Sequence, residues 1–170
     1  MRLFIAINFT TETKNKLLAL RDRLRAASNQ GNFSLPENLH LTLAFLGECT
    51  AKEADVTKSV MNSIELKPFD LMIDQIGCFK RNDGDIWWAG VQESKDLLDL
   101  QRDLVSSLTA AGFTMEKRKY SPHITLGRKV MTDTAPRQIN PFGETITNID
   151  LMKTERIGGK LTYTAIHRIP

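Results

Sequence analysis

The chain predicts an α+β fold, and three observations carry that prediction. Apolar residues recur with a strand-like period of two and a helix-like period of three to four in alternating segments. A short phrase occurs twice, His40-Leu41-Thr42-Leu43 and His123-Ile124-Thr125-Leu126, and each copy runs on through apolar residues to a glycine, Gly47 and Gly127. The elements also fall into two comparable halves: strand, helix, motif strand, helix; then hairpin, helix, motif strand, hairpin. With 170 residues, 41% hydrophobic and 25% charged, the expectation is one domain over residues 1–170, built from two similar lobes around a real core.

The elements follow in order. Residues 2–8, rich in Phe and Ile, read as a buried strand. Thr10 and Thr11 can cap a helix whose stripe is Leu17, Leu20 and Leu24. Ser28-Asn29-Gln30-Gly31-Asn32 ends that helix, and Phe33 to Asn38 is extended or turning, because a residue before proline avoids the helical region. The first motif strand covers about 39–46, and Thr50-Ala51-Lys52-Glu53 has the pattern of a capping box for a helix reaching about Ser63. Phe69, Leu71 and Ile73 alternate with Asp70, Met72 and Asp74 in a strand that ends near Ile76. Asn82-Asp83-Gly84 turns the chain, and Ile86 to Val91 returns beside it. Ser94 or Asp96 caps a third helix, striped by Leu97, Leu100, Leu104 and Leu108 and stopped by Gly112. The second motif strand covers about 122–130, Pro136 and Pro141 bracket a loop, and strands at about 145–153 and 160–168 join around Gly158-Gly159.

Composition excludes several classes. No apolar run reaches the roughly 20 residues that a membrane span needs. The first residues lack the longer apolar region and cleavage site of a signal peptide, so a cytoplasmic protein is expected. Cys49 and Cys78 form no CxxC pattern and read as reduced thiols. The formal charge of +3 permits an anionic ligand but falls short of the basic stripe of a nucleic-acid coat.

The doubled phrase carries the chemistry. Side chains at i and i+2 share one face of a strand, so His and Thr point together while the apolar residues pack the other way. Two such strands facing each other present two imidazoles and two hydroxyls to one cleft. Histidine titrates near neutrality, so one can take a proton while the other gives one. The threonine hydroxyls can bond the oxygens of a phosphate held between them. There is no GxSxG, no cysteine beside a motif and no Walker loop, so phosphodiester cleavage fits better than acyl transfer. No acidic or thiol ligand adjoins the motif histidines, so a metal site is not expected. Only three histidines occur, and His167, without a threonine partner, reads as structural or surface.

These residues resemble the two-histidine (2H) phosphoesterases, in particular the bacterial and archaeal RNA 2′,3′-cyclic phosphodiesterases, the LigT-like or 2′–5′ RNA ligase group. The likeness runs through Arg2 to Ile7, Pro36 to Glu48, Trp87 to Val91, Ser121 to Arg128 and Gly159 to Tyr163. It implies a bilobal, pseudo-two-fold fold, with two antiparallel sheets lining a central cleft and helices outside. It implies hydrolysis of a 2′,3′-cyclic phosphate on RNA or a nucleotide to a 2′-phosphomonoester, without metal or other cofactor. By the resemblance His40 donates a proton to the leaving 3′-oxygen, His123 accepts one from water, and Thr42 and Thr125 hold the phosphate. It further implies ATP-independent 2′–5′ RNA ligation as the reverse reaction. A monomer suffices for all of this. Two other readings stay open: a module that binds a nucleotide or RNA end without turnover, and a phosphodiesterase for another cyclic phosphate or a 2′–5′ linked oligonucleotide.

Other residues divide more evenly. Arg128 suits phosphate geometry, but strict alternation aims it away from His123 and Thr125 unless a bulge at Gly127 re-aims it. The first copy has Ala44-Phe45 there and no counterpart. Trp87 and Trp88 face opposite ways, so at most one reaches the cleft, and core packing is expected for both. Phe9 and Tyr120 are candidates for a cleft wall, and Lys117-Arg118-Lys119 reads as a solvated loop or an RNA contact.

Overall fold

A computed structural model describes all 170 residues. Strand β1 (Arg2–Asn8) carries Leu3, Ile5 and Ile7 into the core and leads into helix α1 (Thr11–Ala26). Strand β2 (Ser28–Phe33) and a 3-10 turn (Pro36–Asn38) then deliver the chain to the first motif strand, β3 (His40–Glu48). Helix α2 (Ala51–Ser63) opens on the full capping box, with Thr50 and Glu53 each bonding the other's backbone N–H. Strands β4 (Phe69–Phe79) and β5 (Asp85–Val91) form the hairpin, and helix α3 (Lys95–Ala110), capped by Ser94, buries all four leucines of its stripe. The second motif strand, β6 (His123–Thr132), is followed by β7 (Arg137–Ile146), β8 (Ile149–Ile157) and β9 (Lys160–Ile169).

All strand pairs are antiparallel and make two sheets, ordered β3-β1-β8-β9 and β2-β6-β5-β4-β7. The α+β class and the pair of antiparallel sheets agree with the sequence. Each motif strand lies beside the strand that precedes its helix, β3 beside β1 and β6 beside β5, and that repetition is the pseudo-two-fold. The buried faces of both sheets and the apolar stripes of the helices join in one core that includes Leu41, Leu43, Ile124, Leu126, Leu17 and Leu104.

Three local expectations fail. Ser28 to Asn32 is not only a helix stop: with Phe33 it forms β2, paired to β6 at the edge of the second sheet. Its polar sequence hides a strand because none of its side chains is fully buried and only pairing specifies it. The stretch between Pro136 and Pro141 is not a loop but β7, at the opposite edge. Pro141 is tolerated there because it falls in the irregular stretch between Gln138 and Phe142, where the ladder asks no N–H of it. The closing hairpin therefore starts at Ile149, four residues later than the apolar pattern suggested. Its turn is as expected: Gly158 and Gly159 both have positive φ, +59° and +79°, which a two-residue hairpin favours. The lobes are also not contiguous halves, since β2 crosses to the second sheet while β8 and β9 return to the first.

Candidate active site

Both motif strands break step at the same place. Along β3, Thr42 pairs with Ala6 and Ala44 with Ile5, so Leu43 is an extra residue. Along β6, Thr125 pairs with Trp88 and Gly127 with Trp87, so Leu126 is extra. A bulge lets two successive residues face one side. Leu43 and Ala44 are both buried, as are Leu126 and Gly127. The next residue in each copy, Phe45 or Arg128, therefore turns to the side of the motif histidine and threonine. Arg128 lines the cleft with His123 and Thr125, and the geometry responsible is a bulge at Leu126, one residue earlier than alternation required. Its positional counterpart in the first copy is Phe45, which is 48% exposed. At Gly127 the space is tight: a β-carbon there would meet the Phe33 ring and Val130 at 3.0 Å, and both side chains would have to give way.

The two imidazoles sit in aromatic cages but are held differently. His40 lies 4.9 Å from the Phe4 ring and 5.5 Å, edge-on, from Tyr163. Its Nδ1 is buried without a partner, leaving Nε2 as the nitrogen open to the cleft. Burial pushes its pKa down to about 4, and the nearby Lys14 charge acts the same way. His123 stands edge-on to Phe79 at 5.1 Å, with Trp88 6.5 Å away. Its Nδ1 lies 2.7 Å from the Ser121 carbonyl, which can only accept, so Nδ1 carries the proton and Nε2 keeps a lone pair. Burial lowers its pKa as well, opposed by the Ser121 carbonyl and reinforced by Arg128.

A cavity of about 820 Å³ brings His40, Thr42, His123, Thr125 and Arg128 together. A second space of about 430 Å³ continues from it past Thr42, Phe45, His123 and Arg128. Arg118 lines both, ion-paired to Glu116, and Arg81 and Lys119 line the second. Cations thus surround two half-buried histidines, an arrangement that attracts an anion and repels protons. No three His, Cys, Asp or Glu side chains gather as a metal-holding set.

The remaining sequence candidates sort as follows. Trp87 is core at 1% exposure, whereas Trp88 packs against His123 instead of joining the core. Phe9 is buried and walls nothing, a correction that follows from its place in the core beyond the end of β1. Tyr120 does line the second space, and so do Arg118 and Lys119 of the basic run. His167 bonds Asn62 at 2.8 Å, away from the cleft. The chain has two free cysteines, Cys49 and Cys78. Phe79 lies beyond Ile76, where the apolar alternation of β4 ends, so period alone does not mark it. Phe4 and Tyr163 carried a signal in strand parity, since both share a face with the motif histidine across the sheet.

Comparison with known proteins bears on the whole chain. The family model described as the 2'-5' RNA ligase superfamily matches residues 15–157. An RNA 2',3'-cyclic phosphodiesterase of Thermotoga maritima is 32% identical over 131 residues, covering 75% of this chain and 70% of that protein. One from Geobacillus stearothermophilus is 32% identical over 136 residues, 74% of this chain but 41% of the relative's own length. The crystal structure of E. coli LigT complexed with 3'-AMP superposes with a TM-score of 0.84 at 27% identity, covering 99% of this chain and 96% of that one. A doubled motif on matching strands and a likeness spanning nearly every residue lead to one conclusion: the chain belongs to the 2'-5' RNA ligase superfamily.

Proposed function

We propose that this protein hydrolyses a 2′,3′-cyclic phosphate at the end of an RNA or on a nucleotide, giving a 2′-phosphomonoester. The observation that carries the reading is the single cleft containing both motif histidines, both motif threonines and Arg128. The relatives are RNA 2',3'-cyclic phosphodiesterases by name, and a structural relative was crystallised with 3'-AMP.

In this reading the cyclic phosphate sits between the two histidines. Thr42 and Thr125 donate hydrogen bonds to its non-bridging oxygens, and Arg128 offers a charge-assisted fork. Water attacks phosphorus opposite the 3′-oxygen. The new oxygen–phosphorus bond forms as the P–O3′ bond breaks. Nε2 of His123 takes the proton from water, and Nε2 of His40 gives one to the 3′-oxygen. The Nδ1–H of His123, fixed on Ser121, makes Nε2 the base. A neutral His40 with a pKa of about 4 is a poor proton carrier in the empty cleft. The bound phosphate corrects that, because an anion beside a buried imidazole favours its charged form. With a 5′-hydroxyl in place of water, the same step joins RNA ends through a 2′–5′ bond: His123 takes the proton of the 5′-hydroxyl as the new O–P bond forms, and His40 protonates the departing 3′-oxygen.

The two unpaired cysteines accord with a reducing compartment, and we place the protein in the cytoplasm. No helix is long and apolar enough to cross a membrane. The strand exchange between sheets supports residues 1–170 as one folding unit. Incubation with RNA ending in a 2′,3′-cyclic phosphate tests the proposal. Conversion to a monoester by the wild type but not by His40→Ala/His123→Ala is expected. Binding of a nucleotide without conversion would instead make the chain a binding module.

A further inference from the structure

In each motif the carbonyls of the threonine and of the bulged leucine accept hydrogen bonds from outside the motif, and the hydroxyl donor lies on the segment that leads to the other motif. The carbonyl of Thr42 accepts a hydrogen bond from the Tyr120 hydroxyl at 2.8 Å, and that of Leu43 accepts one from Gln101 Nε2 at 3.4 Å. In the second motif the Thr125 carbonyl accepts from the Ser34 hydroxyl at 2.7 Å, and the Leu126 carbonyl accepts from the Ser34 backbone N–H at 2.9 Å. Tyr120 lies three residues before His123, and Ser34 lies six before His40. The approach to each motif therefore bonds the same two carbonyls, of the threonine and of the bulged leucine, in the opposite motif or through the helix beside it.

We propose that Ser34 and Tyr120 are positioning residues, a reciprocal brace that sets each motif threonine and the side chain turned into the cleft after it. The proposal rests on the phosphate-binding reading of the cleft given above. Three further observations support it. β3 is an edge strand, so Thr42 and Leu43 have no neighbouring strand on their outer side to accept from. The Ser34 carbonyl is itself held by Arg21 Nη1 at 2.8 Å, which ties the brace to α1. Tyr120 is half-buried, and desolvation raises its pKa, so it stays a hydroxyl donor across the working range of pH.

Tyr120→Phe and Ser34→Ala each delete one hydroxyl and little else. Inorganic phosphate affinity, followed by ³¹P NMR, reads the brace without turnover, and kcat on a cyclic nucleotide reads it again. Each variant should weaken phosphate about fivefold and lower kcat about tenfold, the size of one lost hydrogen bond. Ser34→Thr should recover most of both. The deciding comparison is a pair of double-mutant cycles. In a Thr125→Ala background Ser34→Ala should cost less than twofold more, and in a Thr42→Ala background Tyr120→Phe likewise, because each hydroxyl acts on the threonine already truncated. Wild-type affinity and kcat in the single variants would overturn the proposal, and so would penalties that multiply in full. A wild-type chain that binds phosphate but opens no cyclic phosphate would overturn the reading of the function, while the affinity cycles still decide the brace.

Discussion

The Nδ1 of His123 donates to the Ser121 carbonyl across 2.7 Å, whereas the Nδ1 of His40 is buried with no partner. Two matching tetrapeptides are thus chemically unequal. One imidazole has its tautomer fixed from behind, and the other is free to gain or lose a proton according to what the cleft holds. In ¹⁵N NMR at pH 7.5, neutral His123 should show the Nδ1–H tautomer. Adding 2′-AMP should move the His40 titration upward from about 4, and a His40 titration unmoved by the nucleotide would remove the basis for its role as acid.

The same shifts bias the pH profile. The productive form has His40 charged and His123 neutral, and in the empty cleft both pKa values lie below the usual 6.5. The bell in kcat/KM, which reports free enzyme, should therefore centre on the acid side of 6.5, while the bell in kcat should shift to higher pH as bound phosphate lifts both groups. Limbs placed symmetrically about neutrality in kcat/KM, as unperturbed histidines would give, count against these environments.

Stability should fall in acid for a related reason. A histidine lowered to about 4 in the folded chain titrates near 6.5 when unfolded, so between those values the unfolded state binds more protons. His40 alone then removes roughly 3 kcal/mol as pH drops through that interval, and nothing above it. Urea unfolding at pH 7.5 and pH 4.5 measures the loss, which should be smaller in His40→Asn.

Substitutions in the cleft should separate roles by size. His40→Ala and His123→Ala should each cost at least the 10²–10⁴-fold typical of general acid–base groups. Thr42→Val and Thr125→Val should each cost about tenfold, one hydrogen bond to the phosphate. Arg128→Lys should retain charge but lose the planar fork, and so fall between wild type and Arg128→Ala. Steady-state kinetics on a cyclic nucleotide gives the ranking.

Gly77 offers a test at one remove from the chemistry. A β-carbon there would collide with the Trp88 ring, which packs beside His123 and Phe79. Gly77→Ala must displace the indole, and activity should drop while the distant His167–Asn62 bond is undisturbed. Unchanged kinetics with a folded near-ultraviolet spectrum would show that Trp88 does not support His123.

What was legible in the sequence is what period and local chemistry specify. The four leucines of α3, the Thr50–Glu53 box and the Gly158-Gly159 turn each declare themselves within a few residues. So did the face shared by His and Thr. What was not legible depends on partners far along the chain. β2 is polar and exists because β6 lies beside it, and β7 contains a proline that only an edge strand forgives. Arg128 shows the limit most clearly. Its direction turns on one extra residue, Leu126, whose presence in the ladder is a property of the pairing with β5 and not of β6 itself. Ser34 and Tyr120 lie outside both motifs and signalled nothing of their bonds to them.

The central claim is that two unequal histidines open a cyclic phosphate in one direction. Phosphorus NMR of the product from an RNA ending in a 2′,3′-cyclic phosphate tests it most directly. The account predicts a 2′-phosphate, made by the wild type and absent with His40→Ala or His123→Ala. A 3′-phosphate, or turnover that survives loss of both histidines, would contradict it.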